Sequence, residues 1–257
     1  MELLEFKNLS KFFGGVRAVD GFNYYVPEGN LNAIIGPNGA GKTTIFNLVT
    51  GVYQPTEGDI LFQGESLIGR KAHEIAALGI ARTFQNIRLF PEFSVLDNVR
   101  TAAHQRAVYT IMEGLIPTPR RKREEQALTD YAYNLLELVG LADRAKELSK
   151  NLPYGHQRRL EIARALALEP KLLLLDEPAA GMNPDETANL MEFIQEIKEK
   201  FNLSILLIEH HMEVVMGLCD NIVVIDFGKM IARGTPDEVQ ANDEVIRAYL
   251  GVGEEDA

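Results

Sequence analysis

The stretch Gly36-Pro37-Asn38-Gly39-Ala40-Gly41-Lys42-Thr43-Thr44 constrains the fold more than any other part of the chain. It satisfies G-x-x-x-x-G-K-[ST], and the five residues before it, Leu31 to Ile35, read as a short apolar strand. A strand that runs into such a loop and then into a helix turns several backbone N–H groups toward one point, backed by the positive end of the helix dipole. Gly36, Gly39 and Gly41 let the backbone fold into that nest. Lys42 would bridge the β- and γ-phosphates of a nucleotide, and the Thr43 hydroxyl is placed to ligate Mg²⁺, a hard cation that takes oxygen donors. The loop predicts a phosphate cradle formed by residues 36–44.

The rest of the chain supplies a sheet to carry it. Leu172 to Leu175, Ile205 to Ile208 and Ile222 to Ile225 are short and almost wholly apolar, as strands covered on both faces of a parallel sheet must be. Helical stretches such as Asp185 to Phe201 lie between them, so the alternation argues an α/β sheet with right-handed crossovers. Earlier strands are predicted at Ile60 to Phe62 and Ile80 to Phe84, with Gly, Pro and Asn clusters between them. From about Val95 to Ala167 the pattern turns helical, with Leu135, Leu136, Leu138, Val139 and Leu141 forming a stripe. Asp237 to Leu250 reads as one or two helical turns and a short amphipathic helix, followed by an acidic tail, Gly251 to Ala257. The expected organisation is one domain, 1–257, in which 1–90 and 165–257 form an α/β core with a β subdomain and about 91–164 form a helical subdomain.

A phosphate cradle that supports hydrolysis needs a carboxylate near the metal and a base to orient water. Leu172-Leu-Leu-Leu-Asp176-Glu177 offers both, because a strand ending in Asp176 puts that acid at the C-terminal edge of the sheet, where ligands of open α/β folds collect. Composition narrows the partners. With 26 Lys and Arg against 37 Asp and Glu, the net charge of −11 repels nucleic acid and anionic lipid. No apolar run reaches the roughly 20 residues a spanning helix requires. The opening Met1 to Lys7 lacks the features of a secretory signal, and the single Cys219 cannot form an internal disulfide, so the expected compartment is the cytosol. Arg120 to Arg123 is followed at once by Glu124 and Glu125 and reads as a solvated helix start. Asp226-Phe227-Gly228 spells a kinase metal motif, but without a catalytic-loop partner it reads as a strand-to-strand turn.

Leu152-Pro153-Tyr154-Gly155-His156-Gln157-Arg158-Arg159, followed by Leu160 to Leu166, ends ten residues before Asp176. Together with the cradle and Asp176-Glu177, this order resembles the ABC-type ATPases, whose signature is usually LSGGQ followed by a helix. The resemblance covers essentially the whole chain, from Phe12-Phe13-Gly14-Gly15 to Gly234-Thr235-Pro236. It implies a P-loop NTPase of ABC type, α/β, with a mainly parallel central sheet, an N-terminal antiparallel β subdomain and an inserted helical subdomain. It also implies ATP as substrate, Mg²⁺ as cofactor, and a dimer in which each ATP lies between one cradle and the opposite signature, Leu152 to Gln157. By position, Phe13 matches the aromatic that stacks on adenine, with Val19 close by; a core aromatic is the other reading of Phe13. Gln85 matches the glutamine that reaches Mg²⁺ and water, completing a metal set of Thr43, Gln85 and Asp176. Glu177 matches the base, and His210 the switch histidine at the γ-phosphate, with His211 its surface neighbour.

Further stretches, Gln157 to Arg164, Ala179 to Pro184, Ile208-Glu209-His210, Arg82 to Phe90 and Val245 to Gly251, are similar to the LivG-type ATPase of bacterial branched-chain amino acid importers. That likeness implies a second ATPase subunit, two membrane permeases, an external solute-binding protein, and a peripheral place on the inner face of the membrane. Pro153 and Tyr154 stand where many relatives carry Ser and Gly, which removes a hydroxyl and a backbone donor, so that site is expected to hydrolyse ATP poorly. Asn183 stands where many carry Asp. Leu89, Phe90 and Phe93 suit either a dock for a permease helix or subdomain core. Two other readings are the ATPase of lipopolysaccharide export and a soluble ABC ATPase acting on nucleic acid or ribosomes. Tyr154 and Asn183 favour the importer over the first; a single domain without heptads and with strong negative charge argues against the second. The transported solute and the choice between homodimer and heterodimer stay open.

Overall fold

The computed structural model describes residues 2–106 and 118–250; residues 107–117 of the expected helical subdomain and the expected acidic tail lie outside them. Its strands are β1 (Glu2–Phe13), β2 (Val16–Pro27), β3 (Leu31–Ile35), β4 (Glu57–Phe62), β5 (Glu65–Ser66), β6 (Ile80–Arg82), β7 (Leu172–Asp176), β8 (Ser204–Ile208), β9 (Asn221–Asp226) and β10 (Lys229–Gly234). The helices of three turns or more are interspersed with shorter ones: α1 (Lys42–Val49), α2 (Ala72–Ala77), α3 (Val95–Ala103), α4 (Pro119–Leu138), α5 (Tyr154–Leu166), α6 (Pro184–Phe201), α7 (Met212–Leu218), α8 (Pro236–Gln240) and α9 (Asp243–Leu250). The backbone divides into two compact units, 1–82 with 171–257, and 83–170.

In the first unit the strands form two sheets. One is antiparallel, in the order β2-β1-β4-β5, and the other runs β10-β9-β3-β8-β7-β6 with only β10 antiparallel to its neighbour. Every residue of β3, β7 and β8 is buried, which is why these segments are aliphatic on both faces. Leu4, Phe6, Leu9, Phe22, Ile60 and Phe62 from the antiparallel sheet join Ile34, Leu174, Leu206 and Ile225 in one apolar core. Because β8 lies between β3 and β7 and all three are parallel, the segments that follow them leave from the same edge of the sheet. That edge collects the cradle, Glu177 and His210.

The expected α/β core, with a mainly parallel sheet and an antiparallel β sheet, is present, with three local differences. The strand predicted at Ile80 to Phe84 ends at Arg82, because the Phe84 and Gln85 carbonyls are taken by the Arg158 guanidinium at 2.6 and 2.8 Å instead of by a neighbouring strand. β1 and β2, each 12 residues long, were not among the predicted strands. Register shifts interrupt their pairing at four places, and each shift breaks the two-residue alternation on which a strand prediction depends. The third is the helix expected from Asp185, which starts at Pro184 with Asn183 as the N-cap of α6. The Asn183 side chain accepts from the Glu186 N–H at 2.9 Å while Glu186 accepts from the Asn183 N–H at 3.1 Å, a reciprocal capping box.

Candidate functional site

Three glycines shape the loop after β3. Gly36, Gly39 and Gly41 have φ of +149°, +82° and +107°. A Cβ on Gly36 would overlap the Ile225 carbonyl oxygen, and one on Gly41 the Ala18 carbonyl oxygen, so both positions need glycine for close approach as well as for φ. Pro37 is half-buried, Asn38 and Gly39 are exposed, Ala40 is buried, and Thr43 and Thr44 open α1 as exposed and half-buried residues. The tip of the β9–β10 hairpin braces the loop from outside. Gly228 N–H donates to the Ala40 carbonyl at 3.0 Å, and the Gly228 carbonyl accepts from Asp20 N–H at 2.9 Å. Phe227 and Gly228 both have positive φ, as a two-residue hairpin turn requires. Asp226-Phe227-Gly228 is therefore the predicted turn, and its glycine also holds the cradle.

Lys42 is buried, and its ammonium donates to the Gly36 and Pro37 carbonyls at 2.7 and 2.9 Å. Burial lowers its pKa, and the nearby carboxylates of Glu177 and Asp176 act in the opposite sense. A buried cation with its donors turned onto the loop carbonyls is poised to take phosphate oxygens. Asp176, at the end of β7, is buried and accepts from Arg82 at 2.7 Å, and Arg82 also donates to Asn47 on α1 at 2.7 Å. Sequence reasoning missed Arg82, because its role depends on β6 lying beside β7. Among the described residues no cluster of three or more His, Cys, Asp or Glu side chains could hold a metal ion. Thr43 and Asp176 are oxygen donors of the kind Mg²⁺ takes while keeping waters and phosphate oxygens, so the donor set fits that ion.

Glu177 follows with φ of +47°, in the left-handed region that residues other than glycine seldom occupy. Its N–H donates to the Ile208 carbonyl at 2.8 Å, and its Oε1 lies 3.0 Å from His210 Nε2. The two side chains that the sequence assigned separately thus form one pair across adjacent strand ends. His211 turns the other way and places Nδ1 3.0 Å from buried Glu209. Phe13 is 42% exposed and meets Tyr53 edge-on at 5.1 Å, with the Lys11 ammonium 5.1 Å from the Phe13 ring. This open aromatic pair includes Tyr53, for which the sequence offered no signal. Val19 lies fully buried in the core.

The second unit carries Gln85 and the signature stretch. Gln85 is exposed. Leu152 is buried, Pro153 is the N-cap of α5 without a side-chain cap, and Tyr154 is 44% exposed. Gly155, His156 and Gln157 are half-buried in the first turn, and Gln157 donates to the Leu152 carbonyl at 2.8 Å. One turn on, Arg158 is fully buried and pairs with Glu161 at 2.7 Å. Arg158 donates to the carbonyls of Phe84 and Gln85, while Glu161 accepts from Arg88 N–H at 3.1 Å, so segment 84–88 is bonded to α5 on both its donors and its acceptors. A buried guanidinium is tolerated only when compensated in this way. Phe90 and Phe93 are each 45% exposed with ring centres 5.2 Å apart, and Leu89 is half-buried.

No helix among the described residues is long and apolar enough to cross a membrane. The ABC transporter family profile matches residues 19–180, and that of the branched-chain amino acid ATP-binding cassette transporter matches residues 229–255. The chain is 47% identical over 249 residues to the high-affinity branched-chain amino acid transport ATP-binding protein BraF of Pseudomonas aeruginosa, covering 97% of this chain and 98% of that one. It is 46% identical, with the same coverage, to the corresponding protein LivG of Escherichia coli. An ATP-binding cassette of an ABC transporter, solved in its ADP conformation, superposes with a TM-score of 0.84 at 30% identity, covering 98% of this chain and 99% of the other. Cradle, paired acid and histidine, and signature helix coincide with these likenesses along nearly the whole sequence, and the chain belongs to the ABC transporter family as one of its ATP-binding cassettes.

Proposed function

We propose that this cassette is the ATP-hydrolysing, energy-coupling subunit of an importer for branched-chain amino acids. The observation that carries the chemistry is the 3.0 Å pair of Glu177 and His210 at the sheet edge that also holds the cradle. The transported class is supported by the names of the relatives at 46–47% identity.

In this reading the backbone N–H groups of residues 38–44 and the Lys42 ammonium hold the phosphates, and Phe13 stacks on the adenine. Thr43 and Asp176 would hold Mg²⁺, which when bound offsets charge on the phosphates. Glu177 accepts a proton from water as its oxygen attacks the γ-phosphorus, and the bond to the ADP oxygen breaks to give ADP and phosphate. His210 orients Glu177 and the water. Leu152 to Gln157 face the ATP held by a second cassette, so the working unit is a dimer on the inner face of the membrane. Two permeases, and through them an external solute-binding protein, complete the assembly, and closure of the ATP-bound dimer drives them.

Glu177→Gln keeps shape and removes the proton acceptor. In the purified chain with Mg²⁺ and ATP, turnover is expected to fall at least roughly 100-fold while ATP affinity stays within a few-fold. Undiminished turnover would refute Glu177 as base.

A further inference from the structure

Glu209 is the last residue before the two histidines, and it is the one acid in an otherwise apolar stretch that is completely buried, at 0% exposure. Its carboxylate accepts three backbone hydrogen bonds from two separate parts of the chain. Oε1 accepts from the Ala179 N–H at 2.8 Å. Oε2 accepts from the His210 N–H at 2.8 Å and the His211 N–H at 3.1 Å, and lies 3.0 Å from His211 Nδ1. Ala179 belongs to the turn that Glu177 opens, since Ala180 N–H donates to the Glu177 carbonyl at 3.2 Å and Met182 N–H to the Ala179 carbonyl at 3.1 Å. The turn then runs to Asn183, the cap of α6.

The two members of the Glu177–His210 pair therefore come from different strands, and one buried carboxylate grips the backbone beside each. Every backbone group facing Glu209 in this set is a donor, and a carboxylate meets them with two acceptor oxygens. Glutamine would present its own N–H₂ to one side of that ring of donors. Aspartate, one methylene shorter, could not reach both turns. Burial removes water as a substitute partner, so losing one side leaves a buried N–H unpaired.

We propose that Glu209 is a positioning residue that ties the His210 turn to the loop opened by Ala179, so that the Glu177–His210 pair and the segment leading to Asn183 keep their places together. The role in turnover rests on the reading of Glu177 and His210 as the hydrolytic pair; the tie itself does not. A displaced segment 179–183 is then felt at His210 through a single side chain.

The test is residue-resolved amide hydrogen exchange on the purified chain, run beside ATP turnover, for wild type, Glu209→Gln and Glu209→Asp. Each variant loses at least one side of the tie, and because each turn is held against the other through that one side chain, exchange is expected to quicken by about tenfold or more at Ala179 and at His210–His211 together, with β7 unchanged. Turnover is expected to fall roughly 10- to 100-fold, as for other small misplacements of a reacting group, with nucleotide affinity within twofold of wild type. Quickening at only one of the two turns, or wild-type turnover with both turns loosened, would overturn the proposal. Exchange needs no turnover, so the tie is judged even in a chain that hydrolyses slowly. Full activity in Glu177→Gln would sink the hydrolytic reading and leave the exchange result standing. Should Glu209→Gln fail to fold, Glu209→Asp, which keeps the charge, carries both measurements.

Discussion

A methyl group added at Gly36 has nowhere to go, since the Ile225 carbonyl occupies the space it would need. Gly39, in the same loop, has open space at the corresponding point and only its φ of +82° to resist a side chain. Gly36→Ala is therefore expected to destabilise the chain by at least about 2 kcal/mol and to abolish detectable ATP binding, whereas Gly39→Ala costs about 1 kcal/mol. Urea unfolding and calorimetric titration with ATP would separate the two. The cradle was legible in the sequence because its chemistry is contiguous: strand, glycines, lysine and hydroxyl follow one another. Arg82 and Glu209 were not, because each acts on groups distant in sequence, and their meaning depends on which strands lie side by side. Glu209 did leave one trace, an acid closing an apolar strand ahead of His210.

Helices α5 and α6 begin in opposite ways. Pro153 offers no side chain to the free N–H groups of α5, while α6 has the full reciprocal cap of Asn183 and Glu186. Asn183→Ala should lower stability by about 1 kcal/mol, seen as a shifted urea midpoint with unchanged slope, and Asn183→Asp should leave it nearly unaltered or slightly higher through the helix dipole. A loss equal for both substitutions would mean that the amide does something other than cap. The sequence marked Asn183 only as a departure from a family habit, yet N-P-x-E at a helix start is itself a local capping signal. The central strands were readable from runs of aliphatic residues, and the helices after them from their spacing. β1 and β2 were not, since their irregular pairing has no fixed period to detect.

Among the described residues, desolvation raises the pKa of two tyrosines and one cysteine above their ordinary values. Tyr24, whose hydroxyl donates to Asn32 at 3.0 Å, and Cys219 both have pKa values pushed well up, and that of Tyr249 is raised to about 12. The folded chain keeps these protons while the unfolded chain loses them near the ordinary values of 9.0 for cysteine and 10.0 for tyrosine. The stability they contribute is thus fully present below those values and lost as pH rises past them toward the folded-state values. Added negative charge on a chain already at −11 acts in the same direction. The melting temperature should hold level from neutral pH to about pH 9 and decline steadily above it. Tyr24→Phe should make that decline shallower, a comparison open to differential scanning calorimetry. A different kind of economy concerns the second unit. The chain leaves the first unit after Arg82 and returns at Lys171, where the Lys171 N–H donates to the Gly79 carbonyl at 2.8 Å and β6 lies against β7. Both ends of residues 83–170 are thus pinned at one edge of a finished sheet, and to the first unit they form a single closed loop. Closure entropy grows only with the logarithm of loop length, so doubling or halving the insert would change that cost by about 0.6 kcal/mol. The part of the molecule that bears the signature is free to lengthen, shorten or be exchanged in evolution with little thermodynamic consequence for the part that bears the phosphate cradle.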